Sequence, residues 1–208
     1  MLKEIFEQPD AMRRALHGRL HGDSTHIHFD ELAITSSELK KVEKILILGC
    51  GTSWHAGCLA ASWIEELVKI PCQVEIASEY RYKDPVIAPN TLTLAISQSG
   101  ETFDTIAASQ AMMDAGVPVI ALCNVDHSTL ARRCSAHILL KAGPEFSVCS
   151  TKAFTSQLTS LFLFSLHLAE LRSLEASKVL SYIDELKKIP LHVEGVLRQK
   201  AQIEALAQ

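Results

Sequence analysis

The sequence predicts an α/β fold, a three-layer αβα sandwich in which helices cover both faces of a five-stranded, doubly wound parallel sheet. Short apolar runs alternate with longer segments of helical periodicity, which is the order of elements that a parallel sheet requires. The first run, I-L-I-L-G at residues 45–49, is apolar without a break, as expected for a strand covered on both faces. We therefore expect residues 41–173 to form one sheet domain with helical extensions before and after it.

Residues 1–40 are predicted to form a helical lead-in. Apolar residues recur at helical spacing as far as Gly18, and Pro9 interrupts them, which indicates two short helices or one kinked helix. Residues 18–37 are polar and contain several histidines, so we expect them to form a solvated surface.

Five strands are expected in the sheet domain, at residues 45–49, 74–77, 92–96, 117–122 and 136–140. Helices at 53–68 and 102–115 follow the first and third strands, and Gly116 ends the second of these helices. Pro118 has no N–H group, so it belongs in the first part of the fourth strand or at a sheet edge.

The chain is helical from Ser150 onward. A long apolar helix ends near Leu171, a second helix from Leu174 ends before Pro190, and a third fills the remainder. We expect residues 174–208 to lead into a further domain. The faces of the long helix are too apolar for a monomer, which favours a homodimer. Its uninterrupted apolar stretch is far shorter than the roughly 18 residues of a membrane span, so no membrane partner is expected.

Composition excludes some partners. A formal charge of −4 and a pI near 6.1 give no general attraction to nucleic acid or to anionic lipid. The six cysteines are scattered and form no C-x-x-C pair, which is typical of reduced thiols and predicts a cytoplasmic location.

Hydroxyl-rich junctions follow three of the predicted strands, with the sequences C-G-T-S at 50–53, S-Q-S-G-E-T at 97–102 and S-T-K at 150–152. Ligands of open parallel sheets bind beyond the carboxyl ends of the strands, where the next helices present unpaired N–H groups. Such N–H groups and nearby hydroxyls can surround a phosphate without a cation, and glycine allows close approach. We therefore predict a phosphate or sugar-phosphate site. The alternative is that the hydroxyls only cap their helices.

Other nucleotide and nucleophile motifs are not matched. Gly49-Cys50-Gly51 begins like the dinucleotide fingerprint, but Trp54 stands at its third glycine position. No G-x-x-x-x-G-K-[ST] sequence exists, and Ser99 lacks the preceding glycine of a nucleophile elbow.

Histidine pairs could suggest a metal site. His26 and His28 form H-x-H, and His17 and His21 are four residues apart. Neither pair has a further Cys or carboxylate at ligand spacing, so we expect solvated histidines and no metal.

Three residues near the junctions are left with open roles. His55 is expected to lie on the surface or to pack against neighbouring residues. Glu101 is explained as an acidic residue in the first turn of a helix, where the helix dipole favours negative charge. Glu145, in a loop with glycine and proline, is a further candidate for the site.

The motifs together resemble a known family. The stretches are C-G-T-S at 50–53, E-I-A-S-E-Y-R-Y at 75–82, S-Q-S-G-E-T at 97–102 and S-T-K-A-F-T at 150–155. They resemble the first sugar isomerase (SIS) domain of the glucosamine-6-phosphate synthase family, which catalyses a glutamine:fructose-6-phosphate aminotransferase reaction. The opening M-L-K-E-I and the E-Q-P at 7–9 resemble the segment that leads into the isomerase half. The resemblance implies a flavodoxin-like SIS fold, and it is weakest at residues 18–37.

The resemblance also implies a ligand and its contacts. The ligand is a hexose 6-phosphate, and the phosphate is held by residues that match Thr52, Ser53, Ser97, Gln98, Ser99 and Thr102. Val148 and Ser150 would line the sugar, while Gly51, Glu145 and Lys152 are further candidates. No metal or organic cofactor is expected.

The family places its catalytic groups elsewhere. A glutaminase domain and a second SIS domain supply them, and neither resembles any part of this chain, so no catalytic residue is assigned. We expect the chain to bind the phosphate and to be inactive alone. Another phosphosugar isomerase, a non-catalytic sugar-phosphate sensor and an interaction scaffold remain alternatives. A sensor would need a basic DNA-reading module, and the first forty residues show no such clustering.

Overall fold

The computed structural model describes residues 1–20 and 26–207. Its centre is a five-stranded, all-parallel sheet with the strand order β2-β1-β3-β4-β5. The strands are β1 (Lys44–Gly49), β2 (Cys72–Ile76), β3 (Thr91–Ser97), β4 (Val119–Cys123) and β5 (Ala136–Leu139). All five expected strands are confirmed, with β2 beginning two residues before its expected start.

Ten helices occur in the described part of the chain. They are α1 (Leu2–Phe6), α2 (Gln8–Leu16), α3 (Ser36–Lys40), α4 (Thr52–Leu67), α5 (Ala77–Tyr80), α6 (Phe103–Asp114), α7 (Thr129–Arg133), α8 (Lys152–Leu171), α9 (Ala176–Leu197) and α10 (Lys200–Leu206). The two-helix form of the lead-in is the one observed, with Pro9 in the first turn of α2, where its missing N–H group costs nothing. The short helices α3, α5 and α7 have no counterpart in the sequence prediction.

The two faces of the sheet are covered by different helices. Successive side chains of a strand point to opposite faces. Ile45 and Ile47 of β1 therefore pack in the core cluster that includes residues of α4, α8 and α9. Leu46 and Leu48 pack in a second cluster with residues of α5 and α6. This division confirms the three-layer sandwich and explains why residues 45–49 of β1 are apolar without a break.

One helix boundary was predicted wrongly. Pro190 does not end the second C-terminal helix, because α9 continues through it to Leu197. The buried positions Val179, Ile183, Leu186 and Pro190 recur at helical spacing, so one apolar stripe passes through the proline. Packing of this stripe outweighs the one backbone hydrogen bond that the proline removes.

The solvated surface expected at residues 18–37 is also wrong for part of this segment. Arg19 is 1% exposed, and Ile27 and Phe29 are buried in the core. Arg19 forms an ion pair with Glu31 and lies 4.9 Å from the centre of the Phe29 ring. Polar and charged residues surround this buried stretch in the sequence, so the composition of the segment did not indicate it. Ile27 and Phe29 belong to the same core cluster as residues of α8.

The apolar character of α8 is explained within the chain. It contacts α2, α4 and α9, and thirteen of its residues are buried. The homodimer therefore stays a prediction. Among the described residues, no helix has the length and apolar character needed to cross a bilayer. Pro118 immediately precedes β4, an interior strand, and its carbonyl oxygen accepts a hydrogen bond from the Thr93 N–H at 3.0 Å.

Candidate sugar-phosphate site

Two of the hydroxyl-rich junctions lie next to each other because their strands are neighbours. β1 and β3 pair with Gly49 opposite Ile96, so the turn at residues 50–52 and the segment Ser97–Thr102 leave the same edge of the sheet. This is the point at which the strand order reverses, where open α/β sheets bind ligands. We call residues 97–102 the phosphate loop, after the ligand that the sequence predicts for them.

The turn after β1 depends on glycine. A Cβ atom at Gly49 would lie 3.0 Å from the backbone of Ser53 and Trp54, so the start of α4 could not approach the strand as closely with any other residue. Gly51, the N-cap of α4, has φ +56°, which favours glycine. Thr52 is exposed at this edge, while Ser53 is 7% exposed.

The phosphate loop is organised by its own hydroxyls. The Ser97 Oγ accepts a hydrogen bond from the Gly100 N–H at 3.0 Å and lies 2.9 Å from the Thr102 Oγ1. The Ser99 Oγ accepts a hydrogen bond from the Glu101 N–H at 3.1 Å. Gln98 and Ser99 are half-buried at the loop's outer part. These bonds close the loop on itself.

The β4–α7 connection braces this loop from the other side. The Asn124 N–H donates to the Gln98 carbonyl and the Leu130 N–H to the Gly100 carbonyl, each at 3.0 Å. The Glu101 Oε1 accepts a hydrogen bond from the Thr129 N–H at 2.7 Å, and this bond lowers the pKa of Glu101. Glu101 therefore stabilises the N-terminus of α7, a different helix from the one that the sequence suggested.

Helix capping does not account for the hydroxyls at the three junctions. Within the described structure, the N-caps Gly51 of α4, Thr102 of α6 and Thr151 of α8 make no side-chain capping hydrogen bond. The Thr102 hydroxyl bonds to Ser97 instead. Because the first N–H groups of an α-helix have no partner within it, the start of α6 keeps donors and positive dipole charge directed at the sheet edge.

The third junction is linked to the first through α8. The Gln157 Nε2 donates a hydrogen bond to the Ser53 Oγ at 3.0 Å, and both side chains are buried. The second turn of α8 therefore lies beside the first turn of α4. Sequence reasoning missed Gln157, because no local pattern distinguishes it from the other polar residues of an apolar helix.

A carboxylate already occupies the N-terminus of α8. The Glu145 Oε1 accepts hydrogen bonds from the N–H groups of Thr151 and Ala153 at 2.9 and 3.1 Å. Its Oε2 accepts one from the Ser150 hydroxyl at 3.2 Å. A phosphate at this helix end would meet that negative charge. The anion site is therefore better formed at the phosphate loop and the start of α4.

The remaining predicted residues are dispersed. Val148 is fully exposed, Ser150 is half-buried, and both lie in the segment between β5 and α8. Lys152 is 3% exposed and forms an ion pair with Glu7, so its amino group faces the lead-in. His55 is exposed one turn into α4, with its ring against that of Trp54.

No metal centre is formed by the described residues. No group of three or more His, Cys, Asp or Glu side chains that could hold a metal ion occurs in residues 1–20 and 26–207. His26 pairs with Glu170 and His28 with Asp30, while His21 lies outside the described residues. All six cysteines are free thiols.

A cavity of about 420 Å³ lies elsewhere, between α4, α8 and α9. It is lined largely by apolar side chains that include Trp63, Phe162 and Tyr182. A hexose phosphate needs polar partners for its hydroxyls and charge, so this cavity does not suit it.

Comparison with known proteins agrees with this geometry. The SIS domain model matches residues 38–166, which contain the whole sheet and the phosphate loop. The chain belongs to the SIS domain family.

Relatives of this SIS domain are named for one activity. The isomerizing glutamine–fructose-6-phosphate aminotransferases of Methanosarcina acetivorans and Pseudomonas putida are 42% and 44% identical to it over 100% of the chain. The chain spans 34% of the length of each. The C-terminal domain of the Francisella tularensis glucosamine-fructose-6-phosphate aminotransferase superposes with a TM-score of 0.92 at 41% identity, covering 99% of this chain and 58% of that one.

Proposed function

We propose that this SIS domain binds the phosphate group of a hexose 6-phosphate at the phosphate loop and the start of α4. The observation that carries the proposal is the arrangement of Ser97, Ser99 and Thr102, whose hydroxyls lie in the loop that leads into the uncapped N-terminus of α6. Backbone N–H groups, a helix dipole and hydroxyls bind phosphate without a fixed cation. Thr52, Ser53 and Gln98 complete the proposed phosphate contacts.

We propose further that the domain belongs to an isomerizing glutamine–fructose-6-phosphate aminotransferase. Such an enzyme makes glucosamine 6-phosphate and glutamate from fructose 6-phosphate and glutamine. The identity of over 40% along the whole chain to the M. acetivorans and P. putida enzymes supports this assignment. In this proposal Val148 and Ser150 line the sugar, and Gly51, Glu145 and Lys152 hold the elements around it. The enzyme acts in the cytoplasm, where its thiols stay reduced.

The proton transfer of the isomerisation requires a base within hydrogen-bond reach of the substrate carbon. At the phosphate loop the side chains are hydroxyls and an amide, and the nearby carboxylates Glu101 and Glu145 are held by N–H groups of α7 and α8. We therefore propose that the catalytic groups come from the remaining two thirds of the parent enzyme, from a glutaminase domain and a second SIS domain. The three-part division at residues 40 and 173 and the homodimer belong to the same proposal.

Binding of fructose 6-phosphate, measured by NMR titration of the chain, tests this function. Ser99→Ala and Thr102→Val remove hydroxyls from the site and should each weaken binding about five- to tenfold. Ser177→Ala, on the exposed first turn of α9, is the matched control and should bind as the wild type does. Equal affinity of the wild type and the Ser99→Ala/Thr102→Val double variant would disprove the site.

A further inference from the structure

Charged side chains of the lead-in hold the segment that carries the proposed sugar contacts. Residues 140–151, between β5 and α8, contain neither helix nor strand. The Glu4 Oε1 of α1 accepts hydrogen bonds from the N–H groups of Phe146 and Ser147 at 2.7 and 3.3 Å. Glu4 itself is 6% exposed. A buried carboxylate thus fixes the backbone immediately before Val148.

Two more lead-in residues hold the ends of this segment. The Arg14 guanidinium of α2 donates to the carbonyl oxygens of Lys141 and Ala142, both at 2.9 Å. Glu7, between α1 and α2, forms an ion pair with Lys152, the first residue of α8. The lead-in therefore contacts the segment at its beginning, its middle and its end.

Apart from the bonds that Glu145 accepts from Ser150, Thr151 and Ala153, other interactions fix the middle of the segment only weakly. The side chains of Phe146 and Val148 are exposed, so they contribute little buried apolar surface. Its N–H groups at 146 and 147 donate to Glu4, and no regular secondary structure replaces those bonds. Charge-assisted hydrogen bonds to backbone N–H groups are stronger than neutral ones. Glu145 closes residues 145–151 into a loop, and Glu4 consequently determines where this loop lies relative to α1.

We propose that Glu4 and Glu7 are positioning residues, which set the location of residues 146–150 relative to the phosphate loop and thereby the affinity for the sugar part of the ligand. The inference rests on the proposed function. Within that function, the lead-in controls binding of the sugar part of the ligand. Asn124, Thr129 and Leu130 brace the phosphate loop, and the Asn124 side chain also bonds to Ala142 and Gly143 at the beginning of the segment. Glu4 bonds only to the N–H groups at 146 and 147, so a change at Glu4 should not affect phosphate binding itself.

Two ligands separate positioning from general stability. Fructose 6-phosphate has both a sugar and a phosphate, whereas inorganic phosphate needs the phosphate loop alone. Glu4→Gln should weaken binding of fructose 6-phosphate about fivefold and leave binding of inorganic phosphate unchanged, both measured by NMR titration. Asp10→Asn, an equal charge change at an exposed residue of the same lead-in, should alter neither. An equal loss for both ligands, or no loss for either, would overturn the inference.

Glu7 requires a double variant. Glu7→Gln alone leaves the buried Lys152 charge without its partner, which could unfold the chain. Glu7→Gln/Lys152→Met removes both charges, and it should show the same selective loss for fructose 6-phosphate as Glu4→Gln. Unchanged selectivity in this double variant would exclude Glu7 from the positioning role.

A measurement without ligand distinguishes failure of this inference from failure of the proposed function. In Glu4→Gln, amide hydrogen exchange should become at least about tenfold faster at Phe146 and Ser147 and stay unchanged at Gly100. Faster exchange at Gly100 as well would mean general loosening and would contradict the inference. Absence of fructose 6-phosphate binding by the wild type would instead disprove the proposed function.

Discussion

The hydroxyl of Ser97, the last residue of β3, lies 2.9 Å from the hydroxyl of Thr102, the N-cap of α6. This contact closes the phosphate loop across its ends, and the Gly100 N–H donates to the same Ser97 oxygen. These two bonds hold the backbone of the loop in one shape. A preformed site loses less conformational entropy on binding, which favours affinity for a small anion.

Gly100 should be irreplaceable for steric reasons beyond its backbone conformation. A Cβ atom there would lie 2.1 Å from the Ser128 Oγ, and its φ is +67°. We expect Gly100→Ala to lower the free energy of unfolding by about 2–4 kcal/mol and to weaken fructose 6-phosphate binding. Urea unfolding and NMR titration would measure the two effects.

Gly116→Ala is the matched control for this substitution. Gly116 has φ +77° but no atom within 4 Å of the position of its Cβ, so alanine there meets only the conformational cost, about 1 kcal/mol. The difference between the two variants isolates the collision with Ser128. Equal losses of stability would show that the collision is relieved at no cost, contrary to the prediction.

The fold could be predicted from the sequence because its signals are local. The unbroken apolar run of β1 and the glycines near its end can be recognised from residues only a few positions apart. The meeting of the first two hydroxyl-rich junctions was predictable to the same extent, since the topology of a parallel sheet brings the ends of β1 and β3 together. Contacts between distant residues left no such signal. Glu4 and Phe146, 142 positions apart, and Glu101 and Thr129, 28 apart, meet only in the folded chain.

Local rules also failed where packing was stronger. Pro190 lies on the buried stripe of α9, so the helix continues through it. Arg19 stands in a polar segment that suggested a solvated surface, and yet its side chain is among the most deeply buried in the described structure. In both cases the deciding contacts come from other elements, α2 for the stripe and β5 for the arginine.

Removal of either partner of the ion pair between Arg19 and Glu31 should strongly lower the free energy of unfolding. Arg19 also donates to the Ala15 carbonyl at 3.1 Å and the Ser160 hydroxyl at 3.2 Å, so its charge is enclosed by polar groups. Glu31→Gln leaves that buried charge uncompensated, and we expect a loss of about 3–5 kcal/mol in the free energy of unfolding.

The double variant Arg19→Met/Glu31→Gln supplies the comparison for this pair. It removes both charges, and we expect it to lose less stability than Glu31→Gln alone. Urea unfolding of the wild type and the variants measures both quantities. A double variant less stable than the single one would indicate that the Arg19 hydrogen bonds, and not the charge balance, dominate.

The stability of the phosphate loop should depend on pH through Glu101. The Thr129 N–H holds the pKa of this carboxyl below its usual 4.5, so the folded state binds its proton less readily than the unfolded state does. The stabilisation from Glu101 is therefore complete above about pH 4.5 and is lost as pH falls through the lower pKa of the folded state.

We expect Glu101→Gln to unfold at lower urea concentration than the wild type at neutral pH, and this difference to shrink at about pH 3. Glu66→Gln, at an exposed carboxyl of α4, should not reproduce this pH-dependent difference. A difference between the wild type and Glu101→Gln that stays constant between neutral pH and about pH 3 would show that the Glu101–Thr129 bond does not require the carboxylate.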